Sequence, residues 1–176
     1  CSSDLKSLLA QTSLVQQLQL HTVQRIYRAI VEGHPQKTGI INKNIGRHPH
    51  NRIKMTTLDI GGKKAITHYR VLKYFDKVSY IECKLETGRT HQIRVHFSYI
   101  GFGLVGDPVY MPRVRVPAGA TELLDETLRG FRRQALHAAE LGLKHPRTGE
   151  EMLFKAPWPA DLATLVDVLR TENKAY

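Results

Sequence analysis

The 176-residue chain carries a net charge of +10, from 26 lysines and arginines against 16 acidic side chains. Its length is that of one domain, no apolar run approaches the roughly 18 residues of a membrane-spanning helix, and the N-terminus lacks a signal-peptide pattern, so we expect a cytoplasmic protein. Two cysteines exclude a disulfide framework, and nine histidines lack metal-ligand spacing, so we expect no metal site. The positive charge favours a nucleic acid partner, although a basic protein without such a role is the alternative.

The N-terminal third is predicted to form a helix, a strand and several hairpins. Apolar residues recur at helical spacing from Asp4 to about Leu20, and we expect this helix, capped by Ser3 or Asp4, to cover a sheet. The segment 24–32 is rich in β-branched residues and ends at Gly33, which predicts a strand. From 34 to 64, glycines and a proline separate short strand-like pieces, which indicates hairpins.

A further hairpin is predicted to lead into a second helix. Its strands are 64–75 and 78–87, and their side chains alternate between apolar and polar. Gly88 can adopt a positive φ cheaply, and Thr90 is a plausible cap for a helix in which Ile93, Phe97 and Ile100 recur at helical spacing. A strand end that leads into a helix N-terminus, with two arginines, two histidines and a glutamine nearby, suits an anion.

The C-terminal half is predicted to hold a turn, two helices and a last hairpin. Gly106-Asp107-Pro108 is typical of a turn, so we expect Asp107 to have a structural role there. A polar insertion, 111–119, precedes a short helix at about 121–129, and 134–145 with 151–155 predict the hairpin. Asp161 is expected to cap a final helix whose apolar stripe is Leu162, Leu165, Val166 and Leu169.

Two basic segments and one aromatic residue are candidates for contacts with RNA. Arg47, Arg52 and Lys54 lie within one predicted hairpin, where they suit phosphate tracking, and a solvated basic loop is the alternative. Arg113 and Arg115 belong to the insertion, which we expect at the surface. The ring of Tyr27 could stack on a nucleobase or simply be buried by packing, and its local sequence favours packing.

Two linked motifs resemble the RluA family of RNA pseudouridine synthases. They are Gly-Arg-Thr-His-Gln-Ile-Arg-Val-His at 88–96 and Leu-Val-Gly-Asp-Pro-Val-Tyr at 104–110. Tyr-Arg-Ala-Ile-Val at 27–31 matches a family strand, and Arg-Gln-Ala-Leu-His-Ala at 133–138 resembles the RluD-like subgroup, which modifies large-subunit ribosomal RNA. The resemblance implies an α+β fold with a mixed, mainly antiparallel sheet, flanking helices and a central RNA-binding cleft, and residues 1–176 are interpreted as a single, incomplete catalytic domain.

The resemblance also implies an activity and roles for particular residues. Family enzymes convert uridine in RNA to pseudouridine without cofactor or metal, after the base has left the stack. By matched position, Arg94 would hold an essential aspartate ionised, Tyr27 would pack against the uracil, and Leu85 would line the pocket. The other motif residues expected to contact substrate are Arg89, Thr90, His91 and Gln92.

The sequence departs from the family pattern in one respect. The His-Arg-Leu-Asp loop that carries the essential aspartate has no match in this sequence, and its position relative to Ala10-Gln11-Thr12 implies that it would fall before Cys1. Asp4 does not replace it in position or context. We therefore expect a fragment of an active synthase, inactive by itself and without the S4-like domain of some relatives. The alternatives are an RNA-binding or ribosome-assembly module without catalysis and, more remotely, a phosphate-ester enzyme, against which the lack of a P-loop, metal cluster or carboxylate pair counts.

Overall fold

The computed structural model describes residues 7–172, which form helices on both faces of a central sheet. No helix in this range is long and apolar enough to cross a membrane. The elements in chain order are α1 (Leu8–Gln19), β1 (Gln24–Glu32), β2 (Thr38–Asn42), β3 (Asn44–Arg47), β4 (Met55–Leu58), β5 (Ile66–Tyr74), β6 (Val78–Leu85), α2 (Gln92–Tyr99), α3 (Glu122–Gly130), β7 (Leu136–Lys144), β8 (Glu151–Lys155) and α4 (Ala160–Glu172).

The central sheet has six strands in the order β2-β5-β6-β1-β7-β8. Its neighbouring strands pair antiparallel throughout, and β3 and β4 form a separate antiparallel hairpin. The prediction of an α+β fold with a mainly antiparallel sheet is therefore confirmed. Strand β1 is central, because it pairs with β6 on one side and β7 on the other.

Hydrophobic clusters cover both faces of β1. On one face, Ile93 and Phe97 of α2 pack over Ala29 and Val31 of β1, together with apolar residues of β6. On the other face, Ile30 packs against the buried side chains of α3 and α4. Full burial of an apolar side chain contributes about 1.5–3 kcal/mol, so both layers add substantially to stability. The α4 stripe of Leu162, Leu165, Val166 and Leu169 is buried as predicted.

Helix α1 does not cover the sheet, which corrects the prediction. None of its residues is buried, and the side chains of Leu8 and Leu9 are 78% and 83% exposed. The helix meets β7 through Gln17, whose amide exchanges two hydrogen bonds with the backbone of Lys144. The cap within the described range is Ser7, whose hydroxyl accepts from the Ala10 N–H, whereas the predicted caps Ser3 and Asp4 lie outside that range. Amphipathic spacing defines an apolar face but does not specify its partner.

Three predictions about single residues at turns and caps are also wrong. The N-cap of α2 is His91 rather than Thr90, and it adopts a left-handed conformation with φ 57° and no side-chain capping bond. Gly88 does not adopt a positive φ. It is instead a point of close approach, because a Cβ there would collide with Nη1 of Arg25. Asp161 lies inside the first turn of α4, where its carboxylate binds Arg133.

Candidate functional site

A buried ion pair joins α2 to the turn that follows it. Nε and Nη2 of Arg94 donate to the two carboxylate oxygens of Asp107 at 2.7 and 2.8 Å. Asp107 has no solvent exposure and also accepts from the N–H groups of Val109 and Tyr110 at 2.9 and 3.1 Å. The expected turn role of Asp107 is thus confirmed, but its pairing with Arg94 was not anticipated.

Both members of this pair are held in their charged forms. Burial by itself would raise the pKa of Asp107, but hydrogen bonds from Arg94 and from two backbone N–H groups outweigh it, so the pKa lies below its ordinary value. The hydrogen bond to Asp107 raises the pKa of Arg94 further, against the opposing effect of burial. A guanidinium has five donors and Asp107 takes two, so Arg94 retains three for another acceptor.

Tyr110 connects this pair to His91 and to the β3–β4 hairpin. The centre of its ring lies 5.0 Å from Cζ of Arg94, within cation–π range. Its hydroxyl accepts the Met55 N–H at 2.8 Å and lies 2.9 Å from Nδ1 of His91. Since the hydroxyl accepts from Met55, its own proton is available to Nδ1 of a neutral His91 that carries its proton on Nε2.

The surroundings of His91 favour this neutral form. Burial lowers the pKa of His91, the positive charge of Arg94 lowers it further, and Asp107 opposes both effects only partly. Sequence reasoning did not single out Tyr110, although it closes the second matched motif. Its role depends on contacts with residues far away in the chain, which spacing does not reveal.

Tyr27 and Leu85 lie on the sheet face that α2 covers. Tyr27 pairs across the sheet with Cys83 and Ala138 and packs, partly buried, against the cluster that contains Leu85 and Ile93. Leu85 is 7% exposed, so it belongs mainly to the core. The other side of Tyr27 borders a groove of about 320 Å³ between β1, β7 and β8. The ring is therefore packed on one side and accessible on the other, which combines the two interpretations that the sequence left open.

The remaining motif residues differ in how far they are available to a ligand. Nε2 of Gln92 donates to Ile66 O and Thr67 Oγ1, both at 3.0 Å. Its Oε1 accepts from Arg89 N and Thr87 Oγ1 at 2.9 and 2.8 Å. Buried Gln92 is thus fully occupied in bracing the loop after β6. Thr90 is exposed, and the partly exposed Arg89 donates from Nε to Lys64 O at 2.9 Å.

The basic side chains predicted to meet RNA lie on two surface segments. Arg47 ends β3, and Arg52 and Lys54 belong to the β3–β4 connection; Arg47 and Arg52 are exposed and Lys54 partly so. Arg113 and Arg115 are exposed in the insertion, as expected, and Nε of Arg115 lies 3.4 Å from a carboxylate oxygen of the buried Glu32. Burial raises the pKa of Glu32, although Arg115 opposes this shift. Within residues 7–172, no group of three His, Cys, Asp or Glu residues is arranged to hold a metal ion.

Close relatives in sequence carry names that describe one activity. The chain is 52% identical over 171 residues to Ribosomal large subunit pseudouridine synthase D of Pseudomonas aeruginosa, covering 97% of this chain and 53% of the relative. The protein of the same name from Escherichia coli is 47% identical over 171 residues, covering 97% and 52%. The chain therefore spans about half the length of these curated relatives. Their names agree with the RluD-like resemblance.

Solved structures and a family comparison agree with this resemblance. Human RNA Pseudouridylate Synthase Domain Containing 1 matches with a TM-score of 0.66 and 28% identity, covering 93% of this chain and 72% of that one. Human RNA Pseudouridylate Synthase Domain Containing 4 matches with a TM-score of 0.69 over 90% and 67%, and at 22% identity it supports the fold alone. The family described as RNA pseudouridylate synthase matches residues 6–99, more than half of the chain. The chain belongs to the RNA pseudouridylate synthase family.

Proposed function

We propose that this chain is the larger part of the catalytic domain of an enzyme that isomerises specific uridines of large-subunit ribosomal RNA to pseudouridine. The observation that carries the proposal is that a buried, ionised Arg94 lies on α2, the helix that covers the sheet face from which the accessible Tyr27 ring projects. Because its substrate is ribosomal RNA, the enzyme acts in the cytoplasm. As the family resemblance implies, it needs no cofactor or metal, and the isomerisation itself involves no net oxidation or reduction.

In this proposal the chain's residues bind and orient a uridine that has left the RNA stack. The Tyr27 ring stacks on the extruded uracil, which offsets part of the few kcal/mol that extrusion costs. Leu85 packs in the same cluster as Tyr27, and His91, Arg89 and Thr90 are expected to contact the substrate, whereas Gln92 acts by bracing the loop. The N-glycosidic bond then breaks and the ring rejoins the ribose through C5, from which a proton leaves.

The role of Arg94 differs from that of an arginine without a partner. Asp107 occupies two of its donors and fixes the plane of the guanidinium, so the guanidinium is already oriented before it binds another acceptor. Its remaining donors can hold the essential aspartate of the family, which lies in a loop that this sequence does not match. Arg94 would then bridge two carboxylates and keep the catalytic one ionised.

Pseudouridine formation by the full-length protein tests the proposal. Release of tritium from RNA labelled at uridine C5 measures the reaction, and we expect release from large-subunit ribosomal RNA. Tyr27→Ala should lower kcat/KM by at least about fivefold, since stacking on a base contributes about 1–3 kcal/mol. Release that is absent from the full-length protein, or unaffected by Tyr27→Ala, would contradict the proposal.

A second candidate function is RNA binding without catalysis, favoured by the net charge of +10 and the exposed β3–β4 hairpin. It requires that RNA binding weaken as salt rises, and that replacing Arg47, Arg52 and Lys54 with glutamine reduce the slope by about 0.7 per lost phosphate contact on a single strand. The two candidates separate in the tritium assay, because binding alone releases no tritium. Binding that is insensitive to salt would exclude the second candidate.

A further inference from the structure

A basic groove separates the C-terminal half of α1 from the loop that follows β6. Its volume is about 460 Å³, and its basic side chains are His21, Arg25 and Arg89. The other lining residues are Val15, Leu18, Gln19, Thr87 and Gly88. Among residues 7–172, no aspartate or glutamate lines it. The groove is therefore a concave and positively charged surface.

The two arginines of the groove are oriented by the backbone without being neutralised. Nη2 of Arg25 donates to Glu86 O at 3.2 Å, and Nε of Arg89 donates to Lys64 O at 2.9 Å. Within the described residues, neither has a carboxylate at ion-pair distance, whereas Arg28, Arg94 and Arg133 all do. A carbonyl fixes the plane of a guanidinium but leaves its charge and its other donors available. This arrangement suits an anion with several acceptor oxygens.

Gly88 makes the position of Arg25 possible. A Cβ at residue 88 would collide with Nη1 of Arg25, so the guanidinium occupies the space that a side chain would fill. Because the φ of Gly88 is not positive, conformational freedom does not explain the glycine. Its lack of a side chain is what allows Arg25 to lie against the loop beside Arg89.

The groove continues towards the ring proposed to stack on uracil. Arg25 and Tyr27 alternate with Ile26 on β1, so both side chains point to the same face, roughly 7 Å apart along the strand. Both border the neighbouring groove between β1, β7 and β8. A ligand with a flat base at one end and an anionic group at the other could therefore contact Tyr27 and Arg25 together.

We infer that this groove is a phosphate subsite, in which Arg25 and Arg89 bind a phosphate of the RNA strand whose uracil reaches Tyr27. Guanidinium groups bind phosphate oxygens through paired, charge-assisted hydrogen bonds, which are stronger than bonds between neutral groups. That the phosphate belongs to RNA rests on the proposed function. The binding of a phosphate in this groove does not depend on the proposed function.

Titration of the chain with uridine 5′-monophosphate and with uridine tests the inference. NMR amide shifts at low salt give the two dissociation constants, and we expect the nucleotide to bind at least about tenfold more tightly, as one charge-assisted bond predicts. Inorganic phosphate should compete with the nucleotide. In Arg25→Gln/Arg89→Gln the preference should fall towards unity, and an unchanged preference in this variant would overturn the inference.

Two further variants separate a defined site from general attraction by positive charge. Gly88→Ala keeps every charge but displaces the guanidinium of Arg25, so it should lose most of the preference; retention of the full preference would refute the geometry. Arg132→Gln is the matched control, because Arg132 is exposed, lies outside the groove and has no carboxylate partner within the described residues. It should keep the preference, and its loss there would assign the effect to net charge.

The outcome is independent of the tritium assay. If the preference for the nucleotide is absent while the full-length protein converts uridine, the subsite fails and the proposed function stands. If the preference is present and depends on Arg25 and Arg89 while no conversion occurs, the subsite stands and the proposed reaction fails.

Discussion

The arginines on the α2 side of the sheet occupy two contrasting environments. Arg94 is buried and bound through two nitrogens to a carboxylate that has no solvent exposure. Arg25 and Arg89 border an open groove, and within the part of the chain that the structure describes they donate only to backbone carbonyls. The first arrangement confines the charge within the fold, and the second presents it to solvent.

The difference indicates where the fold depends on a charge and where a ligand could use one. Removing a buried pair from water is costly, so the loss of one partner leaves the other charge uncompensated. A charge oriented at the surface adds little to stability but raises the local concentration of an anionic ligand. Variants of the Arg94–Asp107 pair should therefore change mainly the free energy of unfolding, whereas variants of Arg25 and Arg89 should change mainly the binding of an anionic ligand.

The largest effect is expected for Asp107→Asn. The guanidinium of Arg94 would remain buried without its counter-charge, which should lower the free energy of unfolding by about 3–5 kcal/mol. Urea denaturation measures the loss. The control is Asp125→Asn, which breaks the exposed pair with Arg129 on α3 and should cost about 0.3–0.5 kcal/mol. Similar losses in the two variants would mean that the buried pair contributes no more to stability than the exposed one.

Acidification should reveal how much the Arg94–Asp107 pair contributes to stability. The pKa of Asp107 is lower in the folded chain than in the unfolded chain, so the unfolded state takes up the proton first as the pH falls. The stability from this carboxylate is fully present above the unfolded pKa of about 3.9 and is lost as the pH falls through the folded pKa. Urea midpoints measured below about pH 4 should decline less steeply for Asp107→Asn than for the unmodified chain. Equal slopes would assign the acid sensitivity to other carboxylates.

Gln92→Ala tests the brace beneath the loop that carries Arg89. It would remove the partners of Ile66 O, Thr87 Oγ1 and Arg89 N, and we expect a loss of about 1–3 kcal/mol. Hydrogen exchange should accelerate most at Arg89 N, which loses its acceptor. Uniform acceleration across the chain would indicate global destabilisation instead of a local brace.

Tyr110→Phe keeps the ring beneath Arg94 but removes the acceptor of the Met55 N–H. The expected cost is about 0.5–1.5 kcal/mol, the contribution of one typical hydrogen bond. Exchange of the Met55 amide should accelerate, while the Val109 amide, bound to Asp107, should keep its protection. If the Met55 amide also keeps its protection, the hydroxyl does not anchor the hairpin.

Local periodicity predicted most of the secondary structure. Strand β1 has the predicted bounds, and β5, β6 and the stripe of α4 fall within the predicted segments, because alternation and helical spacing are properties of neighbouring residues. The predictions that failed concern contacts between segments that are far apart in the chain. The apolar spacing of α1 did not indicate its partner, and Gly88 was explained by φ although the reason is the guanidinium of Arg25, which lies on another strand.

The candidate site was recovered only in part for the same reason. The motif at 88–96 drew attention to Arg94, and the turn role of Asp107 followed from Gly-Asp-Pro, but their pairing depends on how α2 lies against the following loop. The sequence also could not separate Gln92, whose amide is occupied inside the fold, from Arg89 and Thr90, which reach the surface. Arg89 and Thr90 belong to the loop after β6, whereas Gln92 begins α2, so side chains of one motif meet different surroundings.

The smallest effect on stability is expected for Arg25→Gln, and it separates the two environments most directly. The side chain gives up one hydrogen bond to Glu86 O and no ion pair within the described residues, so the free energy of unfolding should change by less than about 1 kcal/mol. The nucleotide preference should nevertheless fall several-fold, and urea denaturation and the titration can use the same sample. If Arg25→Gln instead costs as much stability as Asp107→Asn, the guanidinium of Arg25 is a structural element, and the open groove does not differ from the closed pair in the way proposed.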